Sequence, residues 1–455
     1  MTRLLLGGIA PFAVFAGTAL ALLFRFLPPP TGRYWAVPPV LVILGCLGIA
    51  RLWSRRAALV TLLGCLLLVA LGALVIRPRA GNEHTSTARS PGSLSAVALE
   101  IPPGLAARIP GGKHRLEAPA GFSVSVFAAG LDGPRMLAFS QAGDLFVSLP
   151  RAGQVVVLPD RDGDGTADRI QVFAEDLDRP HGLTFHGADL VVAENGRLLR
   201  LEDGDGDLAA DRVTVLSTDL PGGGGHWTRS LADAPDGGFF VSAGSSCNAC
   251  RERDARRAAV LKIPTGGGPA EIFARGLRNS VGLAVHPETG DLWGSDNGRD
   301  WLGDDLPPEE INRIAADGDY GWPYCYGQRV PDPEFGTAAR CRKTIPPAVE
   351  MQAHSAPLGI AFGFGLAFPA HYRNMLYVAF HGSWNRSVPT GYKLVGIPFA
   401  GGRPAGPVEN VITGWLQGSS AWGRPVDPVV GPDGALYLSD DRAGIVYRVT
   451  AGTRH

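Results

Sequence analysis

The sequence has no surplus of charge of either sign: 42 lysines and arginines face 43 aspartates and glutamates over 455 residues. That balance leaves no electrostatic footprint for nucleic acid or for a polyanionic substrate. Helical periodicity is nearly absent after residue 76, which leaves an all-β reading for the bulk of the chain. Cysteine is scarce at six, and two of these, Cys46 and Cys65, fall inside apolar runs. Glycine (61) and proline (37) are abundant but dispersed, as in a chain of short strands and turns rather than a disordered one.

Long apolar runs occur only at the N-terminus: Leu4–Phe24, Ala36–Ala50 and Ala57–Ile76. Ala57–Ile76 is uncharged and long enough to cross a bilayer. Three runs in succession predict a retained anchor of about three transmembrane helices rather than a cleaved signal peptide. Arg51, Arg55 and Arg56 make the second connector the cytoplasmic one, against Arg25 and Arg33 in the first. Everything after Ile76 then faces the periplasm, from an anchor in the inner membrane. The predicted organisation is an anchor over 1–76, a polar linker over 77–110 and a soluble domain over 111–455.

The soluble part repeats one hexapeptide: "GDLFVS" (143–148), "ADLVVA" (188–193), "GGFFVS" (237–242), "GDLWGS" (290–295), "NMLYVA" (374–379) and "GALYLS" (434–439). Most follow a turn signal and an apolar segment, and each precedes another apolar segment. Strand, hairpin, strand, loop, strand at blade-length spacing predicts a six-bladed β-propeller, with insertions in blades four and five.

Function in such a fold gathers at one mouth of the central channel. His181, His226, the pair Arg278–Asn279, and Arg424 stand at equivalent points of four blades, just before the segment leading into each hexapeptide. A neutral imidazole is a suitable base for a hydroxyl proton, and an arginine beside it stabilises charge developing on oxygen. The run "GGGG" before His226 would let substrate or cofactor approach the backbone. The alternative is that His226 and Arg229 cap strand ends. The loop "SDNGRDWLGDDLPPEEINRI" (295–314) is dense in carboxylates, suiting calcium, and equally reads as a solvated acidic loop.

"RGLRNSVGLAVHPETGDLW", "SDNG", "EEIN" and "DGDYGWPYCYG" together resemble the glucose/sorbosone dehydrogenase family, six-bladed propellers that use pyrroloquinoline quinone (PQQ). "GGHWTRSL", "GSSCNAC" and "HGSWNR" lean toward its sorbosone-dehydrogenase-like branch. The resemblance covers about residues 115–450. It implies that His226 removes the C1 hydroxyl proton while hydride passes to the quinone, with Arg278 stabilising charge on the quinone oxygen and Asn279 holding the cofactor. It implies a calcium ion on the quinone held by the carbonyls of Gly298 and Arg299, and a second, structural calcium at Glu310 and Tyr320. Arg424 falls where the family binds PQQ carboxylates, and His354 and His381 lie where it has aromatic and lysine contacts to PQQ. Arg299 replaces a proline found in the soluble glucose dehydrogenase. The implied activity is oxidation of an aldose or a sugar aldehyde, with electrons leaving to a respiratory quinone or another acceptor. A calcium-dependent sugar lactonase and a non-catalytic binding propeller are the rival readings.

"DRDGDGTAD" (160–168) and "DGDGDLAAD" (203–211) share one aspartate spacing, which suits structural calcium or a plain solvated turn. "CNAC" (247–250) is followed by Arg251 rather than histidine, which excludes covalent haem attachment there. Zinc would need Cys325 and Cys341 as a second pair; in an oxidising compartment, disulfides Cys247–Cys250 and Cys325–Cys341 are expected instead. "RERDARR" (251–257) reads as a solvated loop.

Overall fold

Each hexapeptide supplies the second strand of an antiparallel sheet, and six such sheets make the propeller. Blade one is Leu137–Phe139, Leu145–Leu149, Gln154–Leu158 and Gln171–Ala174, in that order from the channel outward. The innermost strands of blades two to six are Gly182–His186, Leu231–Asp233, Ser280–Val285, Pro357–Phe362 and Pro425–Val430. The structure, a computed structural model, describes residues 94–109 and 114–452. The expected anchor lies outside them; among the described residues no helix is long and apolar enough to cross a membrane.

The hexapeptides are apolar on both faces because blades stack face to face. Phe127, Leu137, Leu145, Leu158 and Tyr437 form one core between blades six and one, and Phe146, Val157, Leu183, Val192 and Leu199 form the next. Outer strands lose that constraint, and Arg212–Ser217 leaves Val213 and Val215 about half exposed.

The last position of the hexapeptide is serine in four blades, and its hydroxyl is buried. Ser148, Ser242, Ser295 and Ser439 each accept a backbone N–H from the inner strand or its approach, at Met136, Ser230, Gly282 and Asp427 (2.9–3.1 Å). Ser295 and Ser439 also donate to the next blade, at Leu358 O and Arg135 O (both 2.6 Å). A residue that looks like a strand terminator is thus a stitch between inner strands, satisfying groups that burial would otherwise orphan.

The ring closes through Phe122–Ala129, which pairs antiparallel with Ile445–Ala451 and so completes blade six from the opposite end of the domain. Ser95–Glu100 adds to this edge in parallel and carries Arg115–Ala118 beyond it. The stretch read as linker therefore contributes a strand. It lacks a clear apolar alternation, since pairing rather than burial holds it: only Leu99 is buried. Blades four and five carry insertions as expected, at 315–348 and 381–392.

Asp427, fully buried in the innermost strand of blade six, accepts Leu137 N–H at 2.9 Å and ties the two ends of the ring together. Burial pushes its carboxyl up to about 7, more than Leu137 N–H and Arg135 pull it down. The folded state therefore holds a proton that the unfolded state has lost, and stability falls as pH rises from the ordinary carboxylate range through 7. Asp427→Asn removes this cost: calorimetry should show Tm raised by several degrees at pH 8 and little changed at pH 4. An equal gain at both would contradict the assignment.

Candidate active site

Strands alternate direction, so the loops entering each blade and those joining its second and third strands open on the same face. His226 stands on an entry loop and is half-buried. Its Nδ1 lies 2.9 Å from both Ser245 O and Ser245 Oγ. A carbonyl only accepts, so Nδ1 carries the proton and Nε2 is left as the basic nitrogen. Burial lowers the imidazole to about 4, and the guanidinium groups of Arg278, Arg257 and Arg229 add to the shift beyond what Ser245 opposes. The ring is neutral at neutral pH.

The four glycines, all exposed, also shape the loop itself. Gly223 and Gly224 adopt φ of 72° and 82°, and a Cβ on Gly224 would stand 2.9 Å from Ser246 Cα. Gly225 N–H donates to Ser246 O at 2.9 Å. The run lets the loop turn left-handed and press its backbone against Ser246. Two buried arginines grip its carbonyls: Arg257 holds Gly222 O (2.6 Å), Gly223 O and Gly244 O (3.2 Å). Arg229 holds Pro221 O, Thr228 O (2.7 Å) and His226 O (3.2 Å). Burial and the neighbouring Arg257 bring Arg229 down to about 9. Arg229 therefore braces the loop that carries His226 rather than a strand end. Arg257 was missed because it ends a run of charged residues that is otherwise largely solvent-facing.

Arg278 and Asn279 meet this loop from blade four. The buried Asp296 carboxylate accepts N–H from Arg278 (3.0 Å) and Asn279 (2.8 Å) and the Ser280 hydroxyl (2.9 Å). Burial raises that carboxyl to about 6 against these donors. Arg278 is 4 % exposed, and burial lowers its pKa despite Asp300, Asp296 and Glu309 nearby. Between the two blades lies Gly244: a Cβ there would sit 2.6 Å from both His226 Cβ and Asn279 Oδ1. Asn279 Oδ1 is buried and has no hydrogen-bond partner, and neither has His181 Nε2. His181 Nδ1 donates to Arg229 O at 3.3 Å, with the ring edge-on to Trp227. The structure thus brings His226, Arg278 and Asn279 together, with His181 in the adjoining wall.

Arg424 belongs to the same face but spends Nε and Nη2 on the carbonyls of His381 (3.0 Å) and Gly382 (2.9 Å), over the Tyr392 ring. His381 Nε2 donates to Asp441 at 2.8 Å, and Asp441 also takes Arg135. Burial lowers His381 to about 4, whereas His381 and Arg135 hold Asp441 well below the usual carboxylate range. His354 Nε2 donates to Gly303 O at 2.8 Å. The Nε2 atoms of His354 and His381 are therefore committed within the protein.

The acidic loop is bound mainly by blade five. Asn385 donates to Asp300 (2.8 Å), Arg386 to Asp305 (3.0 Å), and Ser387 N–H to Asp304 (3.0 Å). Glu309 accepts N–H from Gly298 (2.8 Å) and Ala356 (3.1 Å). Arg299 Nη1 donates to both carboxylate oxygens of Asp332 (2.9 and 3.1 Å). Behind this loop is a small, partly open cavity of about 20 Å³, lined among others by Asp296, Gly298, Arg299, Glu310, Tyr320 and Asp332. That is room for one water-sized occupant. Glu310, raised to about 8 by burial with Asp296 adding to it, accepts Gly327 N–H and the Asn312 amide. The Tyr320 hydroxyl points elsewhere, donating to Arg313 O at 2.5 Å, so only its backbone is left for a cation.

Both cysteine pairs are disulfides, which removes the zinc alternative. In each aspartate loop the first carboxylate accepts two backbone N–H groups: Asp160 from Gly163 and Gly165, Asp203 from Gly206 and Leu208. Leu208 takes a φ of 66° where the first loop has Gly165 at 82°.

An uncharacterized protein of Borreliella burgdorferi is 31% identical over 350 residues, covering 73% of this chain and 90% of that one. The pyrroloquinoline quinone-dependent pyranose dehydrogenase of Coprinopsis cinerea is 25% identical over 404 residues, 74% of this chain, which spans about half (54%) of that protein's length. The solved holo form of its PQQ domain superposes with a TM-score of 0.65 at 22% identity, covering 77% of this chain and 100% of that one. The TrAA12-like family matches residues 116–452, most of the described domain, and the chain belongs to it.

Proposed function

We propose that the protein is a PQQ-dependent dehydrogenase that oxidises the anomeric hydroxyl of an aldose, or a sugar aldehyde of the sorbosone type. The observation that carries this reading is the meeting of a neutral, tautomer-fixed His226 with Arg278 and Asn279 across Gly244. Membership of a family with a PQQ-dependent pyranose dehydrogenase among its relatives supports it.

The residues fit the cofactor. Asn279 Oδ1 and His181 Nε2 are buried polar atoms awaiting a partner. Arg278 and Arg424 bring positive charge suited to an anionic ligand. The Gly298 and Arg299 carbonyls offer the hard oxygens calcium prefers, and Glu310 with the Tyr320 carbonyl offers them at the second site. When bound, the quinone supplies a two-electron, hydride-accepting centre. His226 Nε2 takes the hydroxyl proton, and Nδ1–H, held on Ser245, keeps the ring in that tautomer. Arg278 stabilises negative charge on an adjacent oxygen. The rim suits a sugar: Trp301 and Trp384, exposed and edge to face at 5.4 Å, flank the bonded pair Asp300–Asn385. Such indole faces accept the C–H side of a pyranose ring.

A lactonase would need carboxylates converging on the channel to hold its metal. Asp296 and Glu309 are instead buried and turned onto backbone N–H groups, so that reading is not favoured. Anchoring by residues 1–76, a periplasmic active site and delivery of electrons to a respiratory quinone complete the proposal.

Full-length protein supplied with PQQ and calcium should reduce an electron-accepting dye on addition of an aldose or sugar aldehyde. Sugar-dependent reduction without PQQ, or none with it across a broad aldose panel, would overturn the reading. Calcium should also raise Tm in the wild type and leave Glu310→Gln less responsive. An identical response in both would remove Glu310 from the metal site.

A further inference from the structure

The segment 244–258 joins the second and third strands of blade three, and the Cys247–Cys250 disulfide closes its first turn into a ring. Asn248 sits in that ring and works at its carbonyl and at both ends of its amide. The carbonyl accepts Arg278 Nε at 2.8 Å, and Oδ1 accepts Arg278 Nη2 at 2.9 Å. Oδ1 also accepts Asp300 N–H at 2.8 Å, while Nδ2 donates to Asp300 O at 3.2 Å. One residue of blade three therefore grips a guanidinium of blade four on two of its nitrogens. It also pins the backbone directly after Gly298 and Arg299.

The other contacts of that guanidinium are longer: Asn297 O at 3.1 Å and the Asp300 carboxylate at 3.5 Å. Three guanidinium groups act on His226, and they are held differently. Arg229 and Arg257 grip carbonyls of the 221–228 loop and of Gly244. Arg278 alone leans on Asn248. A short disulfide ring restricts the backbone of the residue inside it, so the carbonyl and the amide of Asn248 arrive as one rigid pair.

We infer that Asn248, presented by the Cys247–Cys250 ring, is the positioning residue that fixes Arg278 against His226 and sets the Gly298–Arg299 carbonyls at the mouth. The inference rests on reading His226 as the base, and it assigns the "CNAC" motif a role in the site rather than in haem or zinc binding. A merely structural loop would affect stability; this one also controls the electrostatics of a ring on a neighbouring loop.

The test uses the full chain with ring-labelled histidine, titrating His226 by NMR without cofactor, alongside kcat/KM against pH with PQQ and calcium. Removing the Arg278 charge from its place should raise the His226 titration by about one pH unit in Asn248→Ala. The acidic limb of kcat/KM should move the same way, and kcat should fall about tenfold. The double variant Cys247→Ser/Cys250→Ser should shift in the same direction by less, and it serves if Asn248→Ala does not fold. An unmoved His226 titration in a folded Asn248→Ala overturns the inference, and an unmoved double variant removes the disulfide from it. The NMR arm separates this from the proposed activity: a shifted titration in a protein that oxidises no sugar upholds the clamp and sinks the dehydrogenase. Normal turnover with no shift does the reverse.

Discussion

His226→Ala should lower kcat by about 10²–10⁴-fold, the usual contribution of a positioned general base. Cofactor affinity, and Tm at neutral pH, should change little, because the ring's hydrogen bonds are to Ser245 alone. The pH dependence has a definite sign. Burial, then Arg278, Arg257 and Arg229, bring the imidazole to about 4 in the cofactor-free protein. The basic form is therefore complete from about pH 5 upward, and only more acidic solutions remove it. Stability follows the same sign: between its ordinary value of 6.5 and about 4 the unfolded chain binds the proton that the folded ring refuses. Folding is then favoured as pH rises through that window, with the full benefit above 6.5. His381, also held near 4, contributes in the same sense. The variant should thus lose activity at every pH and be less acid-sensitive in its folding. Rates within tenfold of wild type would remove His226 from the chemistry.

Gly244→Ala should be nearly as damaging although it deletes no chemical group. The new methyl would stand 2.6 Å from His226 Cβ and from Asn279 Oδ1, far inside contact distance, so the imidazole and the amide must move apart. A displacement of about 1 Å at a reacting group costs on the order of a hundredfold in rate. Overpacking of this kind also costs about 1–3 kcal/mol, readable as a Tm lowered by several degrees. Gly266→Ala, where a Cβ meets nothing within 4 Å, is the matched control and should be silent. Steady-state kinetics with PQQ binding measured by fluorescence would check both. If Gly244→Ala turned over normally, His226 and Asn279 would not act as one unit.

The two predictions differ in how their residues were reachable. His226, Arg278 and Asn279 were legible because a propeller repeats, and a residue just before one blade's inner strand shares its height with its counterpart in the next. Gly244, Ser245, Asn248 and Arg257 carried no such signal. They lie on a loop whose path depends on a disulfide and on its neighbours, and Arg257 in particular looks like one more surface charge in "RERDARR". The glycine run was visible, but its packing against Ser246 was not. Whether bare backbone faces a ligand or Ser246 is a question of what packs against it, on which composition is silent.

The hexapeptide, its alternation with turns and its six occurrences determined the blades, because strand and hairpin preferences are local. The two disulfides were likewise readable, their partners being 3 and 16 residues apart. Only the tertiary structure decided how the ring shuts, since Phe122–Ala129 and Ile445–Ala451 meet across the whole domain. It alone decided that Asn248 would meet Arg278, and that His226 would be neutral amid three guanidinium groups. Long-range pairing and burial are properties of the assembled blades, and no single stretch of chain encodes the field its neighbours impose.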